Sequence, residues 1–245
     1  MKKMFFYLAV FFTCLVLTPC VFADTVTGSA SAGFQTWGTT DLGANGVPYW
    51  DGASSDGSGK NVGYWLTNSG AFSGTAGPGA IPYWGFSTGA ADTNFYFTSS
   101  GGTNLAALQI EIAGNAGSNK FGWYELSNGN IATHLLFDGP AGAGATATFA
   151  PTGNYGFYLE TANNGTFYTQ STLYGSDKGN QHFALFQGNN AFWLGIEDLP
   201  FASSDKDYND MIIKITSTGV PEPFTLLFLG ACLVGAGVAG RRFKI

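Results

Sequence analysis

Between residues 95 and 216 the chain repeats short segments in which apolar and polar residues alternate, and this pattern most constrains its fold. A period of two places successive side chains on opposite faces of an extended strand. Glycine, asparagine and serine between the segments supply the backbone conformations of tight turns. Segments at this spacing predict an all-β fold, an antiparallel β-sandwich of the jelly-roll kind. The predicted strands are 95–97, 108–112, 121–126, 155–160, 183–187, 192–196 and 211–216.

Composition divides the chain into an apolar N-terminal part, a loop-rich β portion, a β-sandwich domain with an acidic loop, and an apolar C-terminal part. Their expected bounds are 1–23, 24–100, 101–219 and 220–245. Cys14, Cys20 and Cys232 all lie in the two apolar end parts, so the body between them has no cysteine. We therefore expect burial, backbone pairing or a metal ion to hold the body together, without disulfides.

The first part has the features of a secretory signal peptide. A short basic region precedes the apolar segment 5–17, and Ala23 offers a small residue at the cleavage position. These three features in this order are typical of signal peptides that are removed after export. The mature chain is therefore expected to start at Asp24.

The last part, 220–245, is predicted to anchor the chain in a membrane. Residues 224–240 carry no charge. As a helix they span about 26 Å, slightly less than a bilayer core of about 30 Å. The basic residues that follow reach back to the interface and are expected to stay on the cytoplasmic side. The body is then expected outside the inner membrane.

A Pro-Glu-Pro motif precedes this apolar segment, and a basic cluster follows it at the C-terminus. This arrangement resembles the PEP-CTERM sorting signal of Gram-negative bacteria. Its motif residues here are Pro221, Glu222, Pro223, Arg241 and Arg242. The resemblance implies processing by a membrane-embedded exosortase, delivery to the cell surface, and a link to exopolysaccharide and biofilm. A plain C-terminal anchor is the alternative interpretation.

The acidic charge of the body argues against polyanionic partners. Fifteen acidic residues stand against five lysines and no arginine, which leaves a net charge of about −10. A body this acidic, without guanidinium groups, argues against binding to nucleic acid or anionic lipid. The charge suits a surface protein or one that collects divalent cations.

Five of the fifteen carboxylates fall in the loop 197–210, between two predicted strands. In an extended segment, Asp205, Asp207 and Asn209 lie on one side. Oxygen ligands at alternate positions, with a neighbouring carboxylate pair, are typical of calcium sites. The same residue types also form tight turns by bonding backbone N–H groups, and both interpretations stay open. The candidate calcium ligands are Glu197, Asp198, Asp205, Asp207, Asn209 and Asp210.

The sequence Glu-Asp-Leu-Pro at 197–200, followed by Asp-Lys-Asp-Tyr-Asn-Asp at 205–210, resembles the closing signature of a family. The family is a bacterial extracellular domain of unknown function, numbered 4114, and the likeness covers roughly 105–217. It implies a secreted β-domain often joined to PEP-CTERM tails, and it brings no established catalytic residue.

Nothing in the body indicates a catalytic centre, and we expect no enzyme. The body has two histidines, and no nucleophile-elbow or zinc-protease motif occurs. His134 lies among apolar residues and is predicted to be packed, whereas His182 follows a turn and is predicted to be exposed. Glycoside hydrolysis needs only two carboxylates and stays the most remote alternative. The glutamates available for it are Glu111, Glu125, Glu160 and Glu197.

A structural or adhesive protein of the cell surface or extracellular matrix is the leading functional expectation. A carbohydrate-binding module is the nearest alternative, because aromatic rings offer flat faces to sugars. Trp50 and Trp84 each follow Pro-Tyr in a predicted loop and are the candidate sugar platforms. Most of the other aromatic side chains are expected in the core of the sandwich.

Overall fold

A computed structural model describes residues 24–29, 49, 61–68, 71–72, 75–84, 94–173, 177–188 and 191–218. The predicted signal peptide, the apolar segment 224–240 and the Pro-Glu-Pro motif lie outside these residues. Among the described residues, no helix has the length and apolar character needed to cross a membrane. Ala23–Thr218 forms one compact unit.

The described residues are mostly β, as the alternating segments predict. They contain one short α-helix, α1 (Val62–Asn68), and a 3-10 turn at Ala116–Ser118. The strands in chain order are β1 (Thr25–Ser29), β2 (Ala71–Phe72), β3 (Thr75–Ala76), β4 (Asn94–Thr98), β5 (Thr103–Glu111), β6 (Lys120–Ser127), β7 (Asn130–Asp138), β8 (Thr146–Phe149), β9 (Asn154–Thr161), β10 (Gly165–Tyr168), β11 (Phe183–Gly188), β12 (Ala191–Ile196) and β13 (Met211–Thr218).

Two antiparallel sheets form the body. The first has the order β1-β4-β9-β6-β7, with β10 also paired to β9, and the second has the order β11-β12-β13-β5-β8. The small hairpin β2-β3 stands apart from both sheets. The described residues thus place eleven strands in the two sheets, which differs from the eight strands of the predicted jelly roll. The N-terminal strands β1 and β4 belong to the first sheet, together with strands from the second half of the chain.

The two sheets pack face to face through an aromatic core. Phe97 of β4 contacts Phe192 of β12 with ring centroids 5.0 Å apart, and it stacks on Tyr155 of β9. Phe157 stacks on Phe121 within the first sheet. All five side chains are buried, and such large rings contribute most of the burial energy in a sandwich. The core therefore follows from the inward-facing positions of the predicted strands.

A second apolar cluster covers the outer face of the second sheet. Helix α1 contributes Trp65, which contacts Trp193 of β12 with ring centroids 5.7 Å apart. Tyr49 contacts Tyr208 from the loop after β12, with centroids 4.3 Å apart. The Asn61 side chain accepts a hydrogen bond from the Tyr64 N–H at 2.8 Å, as an N-cap residue does. The N-terminal portion thus holds the acidic loop against the sheet.

Both histidine predictions are wrong. His134 is exposed, because β7 is the edge strand of the first sheet, and its ring stacks on Trp123. His182 is buried, because its ring stacks on Phe167 at 3.7 Å between centroids. Its Nε2 lies 3.2 Å from an Asp177 carboxylate oxygen. Local apolar or turn context did not reveal which strand lies at an edge.

Candidate metal centre

The acidic loop connects β12 to β13 at one end of the second sheet. Glu197 directly follows β12, and its N–H donates to the His182 carbonyl at 3.0 Å. Asn209, near the end of the loop, forms a parallel bridge with Ile196. Gly195 permits this fold-back, because a Cβ there would meet the Tyr208 carbonyl oxygen at 2.6 Å. The loop therefore lies directly on the strand from which it starts.

The loop is not extended, and two left-handed residues tighten it. Lys206 has a φ of 61° and Tyr208 a φ of 56°. This conformation costs a non-glycine residue roughly 1–2 kcal/mol, so neighbouring interactions must hold it. The Tyr208 N–H donates to Glu197 Oε1 at 2.8 Å, and the Asn209 N–H donates to Asp207 Oδ1 at 3.1 Å. The predicted turn chemistry is thus present in the loop.

Three of the predicted ligands converge. Glu197, Asp205 and Asp207 each offer a carboxylate oxygen, and these oxygens lie within 4.8 Å of one another. Glu197 and Asp207 are each only 2% exposed. Oxygens bound to one calcium ion at about 2.3–2.6 Å can lie up to about 5 Å apart, so the spacing suits an ion between them. We call these three residues the carboxylate triad.

The other three predicted ligands form hydrogen bonds within and beside the acidic loop. The Asn209 side-chain amide donates to an Asp207 carboxylate oxygen. The Asp198 N–H donates to Asp210 Oδ2 at 2.9 Å, which ties the two ends of the loop together. The Asn119 side-chain amide donates to Asp198 Oδ2 at 3.0 Å. Asp198 and Asp210 therefore bring further negative charge beside the triad without being part of it.

Electrostatics at this end of the sheet disfavour ionised carboxylates. Burial, with added repulsion from Asp205 and Asp198, raises the pKa of Glu197 to about 7. Burial and the charge of Glu197 raise the pKa of Asp210 to about 8. A divalent cation would remove this penalty by neutralising the carboxylates.

Two residues beside Asp198, Glu111 and Asn119, were not predicted from the sequence to lie near the acidic loop. Glu111 ends β5 opposite Met211, and burial together with the charge of Asp198 raises its pKa to about 7. Its Oε1 and the Asn119 Oδ1 are buried and have no hydrogen-bond partner. In the described part of the chain, neither Glu111 nor Asp198 forms an ion pair. The pairing of β5 with β13 reveals the position of Glu111, and the hydrogen bond to Asp198 reveals that of Asn119; both residues lie far from the loop in sequence.

The predicted sugar platforms gain no support. Trp50 lies outside the described residues. Trp84 is only 3% exposed and belongs to the core between the two sheets, so it does not offer a ring face to a ligand. The Pro-Tyr that precedes Trp84 instead contacts β11, where Tyr83 bridges to Phe186. The prediction that Trp84 is a surface sugar platform is therefore wrong, because Trp84 is a core residue.

Two of the four glutamates available for glycoside hydrolysis, Glu125 and Glu160, have partners away from the acidic loop. Glu160 pairs with Lys120 at 3.2 Å on the surface, and Glu125 accepts from the Thr152 N–H at 2.9 Å. His182 contacts Asp177, yet its other ring nitrogen, Nδ1, is buried without a partner. A catalytic triad needs a hydroxyl at that second nitrogen. Among the described residues, His182 therefore contacts no nucleophile.

Comparison with known proteins agrees with the likeness based on the acidic loop. No curated protein and no solved structure matches the chain. One family model does match, and its region extends from the 3-10 turn through β13, including the carboxylate triad and Asn119. Residues 116–218 are similar to the family described as Domain of unknown function (DUF4114).

Proposed function

We propose that this protein is an exported structural or adhesive module of the cell surface or extracellular matrix, stabilised by one calcium ion in the acidic loop. The observation that carries the metal site is the carboxylate triad, whose three oxygens lie within 4.8 Å although two of the side chains are almost fully buried. Buried like charges at this spacing need a counter-ion.

The chemistry of the site favours calcium among common cations. All the converging atoms are carboxylate oxygens, which hard divalent cations prefer. The loop is irregular, and calcium accepts flexible coordination with 6–8 oxygens, whereas magnesium requires near-octahedral geometry. Water molecules would complete the shell beyond the triad.

Export is supported by the predicted signal peptide and by the PEP-CTERM resemblance. We propose that an exosortase processes residues 220–245 and that the body acts near exopolysaccharide. The acidic loop adjoins Met211 at the start of β13, and the chain leaves the body after Thr218 at its other end. Eight residues of strand at about 3.3 Å each separate the two points by about 26 Å. The proposed calcium site and Thr218 are then at opposite ends of β13.

We assign the protein no catalytic role. The buried, partnerless nitrogen of His182 and the surface ion pair of Glu160 support this assignment. Carbohydrate binding is the alternative function, although Trp84 is buried and gives it no platform. The calcium site supports a structural role, because its main effect is to fix the β12–β13 connection.

The test is thermal unfolding of the compact unit, residues 24–218, at pH 8 with added chloride salts. Calcium at 100 times its dissociation constant stabilises by about 2.7 kcal/mol, which we expect to raise the melting temperature by about 5–10 °C. Magnesium should give a much smaller shift, and Glu197→Gln should remove the calcium response.

Glu160→Gln is the matched control, because it removes a glutamate charge on the surface. This variant should respond to calcium like the wild type. An equal melting temperature of the wild type with and without calcium would contradict the metal site. Equal shifts in Glu197→Gln and the wild type would place binding elsewhere.

A further inference from the structure

Asp24 is the residue at which the body begins, and it lies in a polar cluster at the opposite end of β13 from the acidic loop. It is only 3% exposed, and its carboxylate accepts four hydrogen bonds. Oδ1 accepts from the Ser100 N–H at 2.7 Å and from the Ser100 hydroxyl at 2.8 Å. Oδ2 accepts from the Asn104 amide and the Tyr155 hydroxyl, both at 2.7 Å.

This cluster joins the two sheets. Tyr155 belongs to β9 in the first sheet, and Asn104 belongs to β5 in the second. The backbone nitrogen of Asp24 donates to the hydroxyl oxygen of Ser217, in β13, at 3.0 Å. The first residue of the body thus contacts both layers through its side chain and its own nitrogen.

One acceptor in the cluster lacks a donor. Asn104 is 1% exposed, and its Oδ1 is buried without a hydrogen-bond partner. Turning the amide around would not help, because it would place an oxygen against the Asp24 carboxylate. A buried polar atom left unpaired is unfavourable, so a missing donor is expected nearby.

The nitrogen of Asp24 donates to Ser217, which is the cross-strand neighbour of Asn104. Asn104 and Ser217 face each other directly across the β5–β13 pair. Side chains so placed have Cβ atoms about 5 Å apart and share one face of the sheet. In an uncleaved chain the Asp24 nitrogen is an amide with a single N–H. That N–H already donates its hydrogen bond to the Ser217 hydroxyl oxygen. A second proton on the same nitrogen would be available to Asn104.

We propose that cleavage of the chain between Ala23 and Asp24 creates an α-ammonium group that completes this buried cluster. The inference rests on the proposed export, because a signal peptidase is the hydrolase that would act there. Water adds its hydroxyl to the Ala23 carbonyl carbon, the C–N bond breaks, and the leader departs with a carboxylate. The Asp24 nitrogen takes up protons and becomes an ammonium with three N–H donors.

The new ammonium satisfies Ser217 and Asn104 together, and its charge lies next to the Asp24 carboxylate. Processing thereby locks the first residue to both sheets. The geometry also selects the bond that must be cut. Cleavage one residue earlier leaves an amide at Asp24 and moves the charge about 3.8 Å away.

The test compares two forms of the compact unit, one starting at Asp24 and one starting at Ala23. The form starting at Asp24 should melt about 4 °C or more above the extended form, since about 1 kcal/mol corresponds to 2–4 °C in a unit of this size. Equal melting temperatures would overturn the inference.

A variant without the acceptor shows whether Asn104 is the partner. Asn104→Ala should shrink the difference between the two forms by at least half. Asn154→Ala removes a surface amide that bonds the Thr98 hydroxyl, and it should leave the difference unchanged. A difference that persists in full in Asn104→Ala would overturn the assignment of the partner.

Mass spectrometry of the full chain after expression in an exporting Gram-negative host separates this inference from the proposed function. We expect a mature N-terminus at Asp24. An exported chain that starts at any other residue contradicts only the processing inference. A chain that stays unprocessed in the cytoplasm contradicts the proposed export, and the processing step with it.

Discussion

The two ends of β13 bury carboxylates in opposite ways. Near its last residues, the Asp24 carboxylate accepts four hydrogen bonds, and these lower its pKa although burial alone would raise it. In the acidic loop before β13, the Glu197 carboxylate accepts hydrogen bonds from the Ser204 hydroxyl and the Tyr208 N–H. Burial beside other carboxylates nevertheless raises the pKa of Glu197. The number of donors and the neighbouring charges therefore decide whether a buried acid is stable as an anion.

The two ends of β13 therefore have different roles. The Asp24 cluster is self-sufficient as an anion site and needs only one further donor for Asn104. In the acidic loop, burial and neighbouring carboxylates raise the pKa of Glu197 and Asp210, and we propose that a cation neutralises these charges. The hydrogen bonds at the first end join the two sheets, and in our proposal the second end binds a cation from solution.

The largest expected effect is at the self-sufficient end. Asp24→Ala leaves the donors of Ser100, Asn104 and Tyr155 buried without their acceptor. We expect a loss of about 3–5 kcal/mol in the free energy of unfolding, because several buried partners lose their charge-assisted bonds. Urea unfolding of residues 24–218 measures it.

Glu160→Gln serves as the control for this variant, because it removes an exposed ion pair and should cost about 0–1 kcal/mol. A loss below about 1 kcal/mol in Asp24→Ala would show that the cluster does not hold the sheets together.

The next effect comes from the backbone under the acidic loop. An alanine at position 195 would place its Cβ 2.6 Å from the Tyr208 carbonyl oxygen and 2.8 Å from a Val62 methyl group. Gly195→Ala is expected to cost about 2 kcal/mol and to weaken calcium binding, because the loop must shift. Gly142→Ala is the matched control, since nothing lies within 4 Å of its added Cβ.

Calcium titrations of the two glycine variants measure the second part of this prediction. Unchanged affinity in Gly195→Ala would separate the metal site from the conformation of the loop.

A third effect should have the opposite sign. Asp210→Asn removes a carboxylate whose pKa is raised by burial and by Glu197, and its amide oxygen can still accept from the Asp198 N–H. At pH 8.5 without divalent cations we expect the variant to be more stable than the wild type by about 1 kcal/mol. Chemical unfolding in a chelating buffer measures the difference. Destabilisation there would show that the loop tolerates its charges without a cation.

The last effect is the pH dependence without calcium. The pKa values of Glu111 and Glu197 are raised to about 7 and that of Asp210 to about 8, so the folded state binds more protons than the unfolded state. Stability should therefore fall as pH rises from 6.5 to 8.5. Burial lowers the pKa of His182 to about 4. The stability contributed by this neutral histidine is lost only as pH falls below about 6.5, where the unfolded chain binds a proton that the folded chain does not.

Melting curves recorded across this pH range, with and without calcium, measure the dependence. Calcium should flatten the decline above pH 6.5, because the bound ion stabilises the ionised carboxylates. A profile that rises from pH 6.5 to 8.5 in the absence of calcium would contradict the electrostatic account.

Alternating segments were enough to predict the β fold, and each of the seven predicted strands overlaps an observed one. Helix α1 was missed, because its sequence includes glycine and β-branched residues of low helix propensity. It forms because Val62, Trp65 and Leu66 lie on one face and pack on the second sheet. Tertiary burial overrides local preference there.

The candidate site was predicted in part for a related reason. The composition of the loop pointed to Glu197, Asp205 and Asp207, which do converge. The contributions of Glu111 and Asn119 depend on strand pairing and on contacts between distant parts of the chain, which no local motif encodes. The same holds for the Asp24 cluster, whose members are separated by up to 193 positions.

Isothermal titration of residues 24–218 with calcium at pH 8 tests the central claim most directly. We expect one ion per chain in the wild type and in Glu160→Gln, and loss of the binding heat in Asp205→Asn. Absence of binding heat in the wild type, or binding by Asp205→Asn that equals the wild type, would contradict a calcium site in the carboxylate triad.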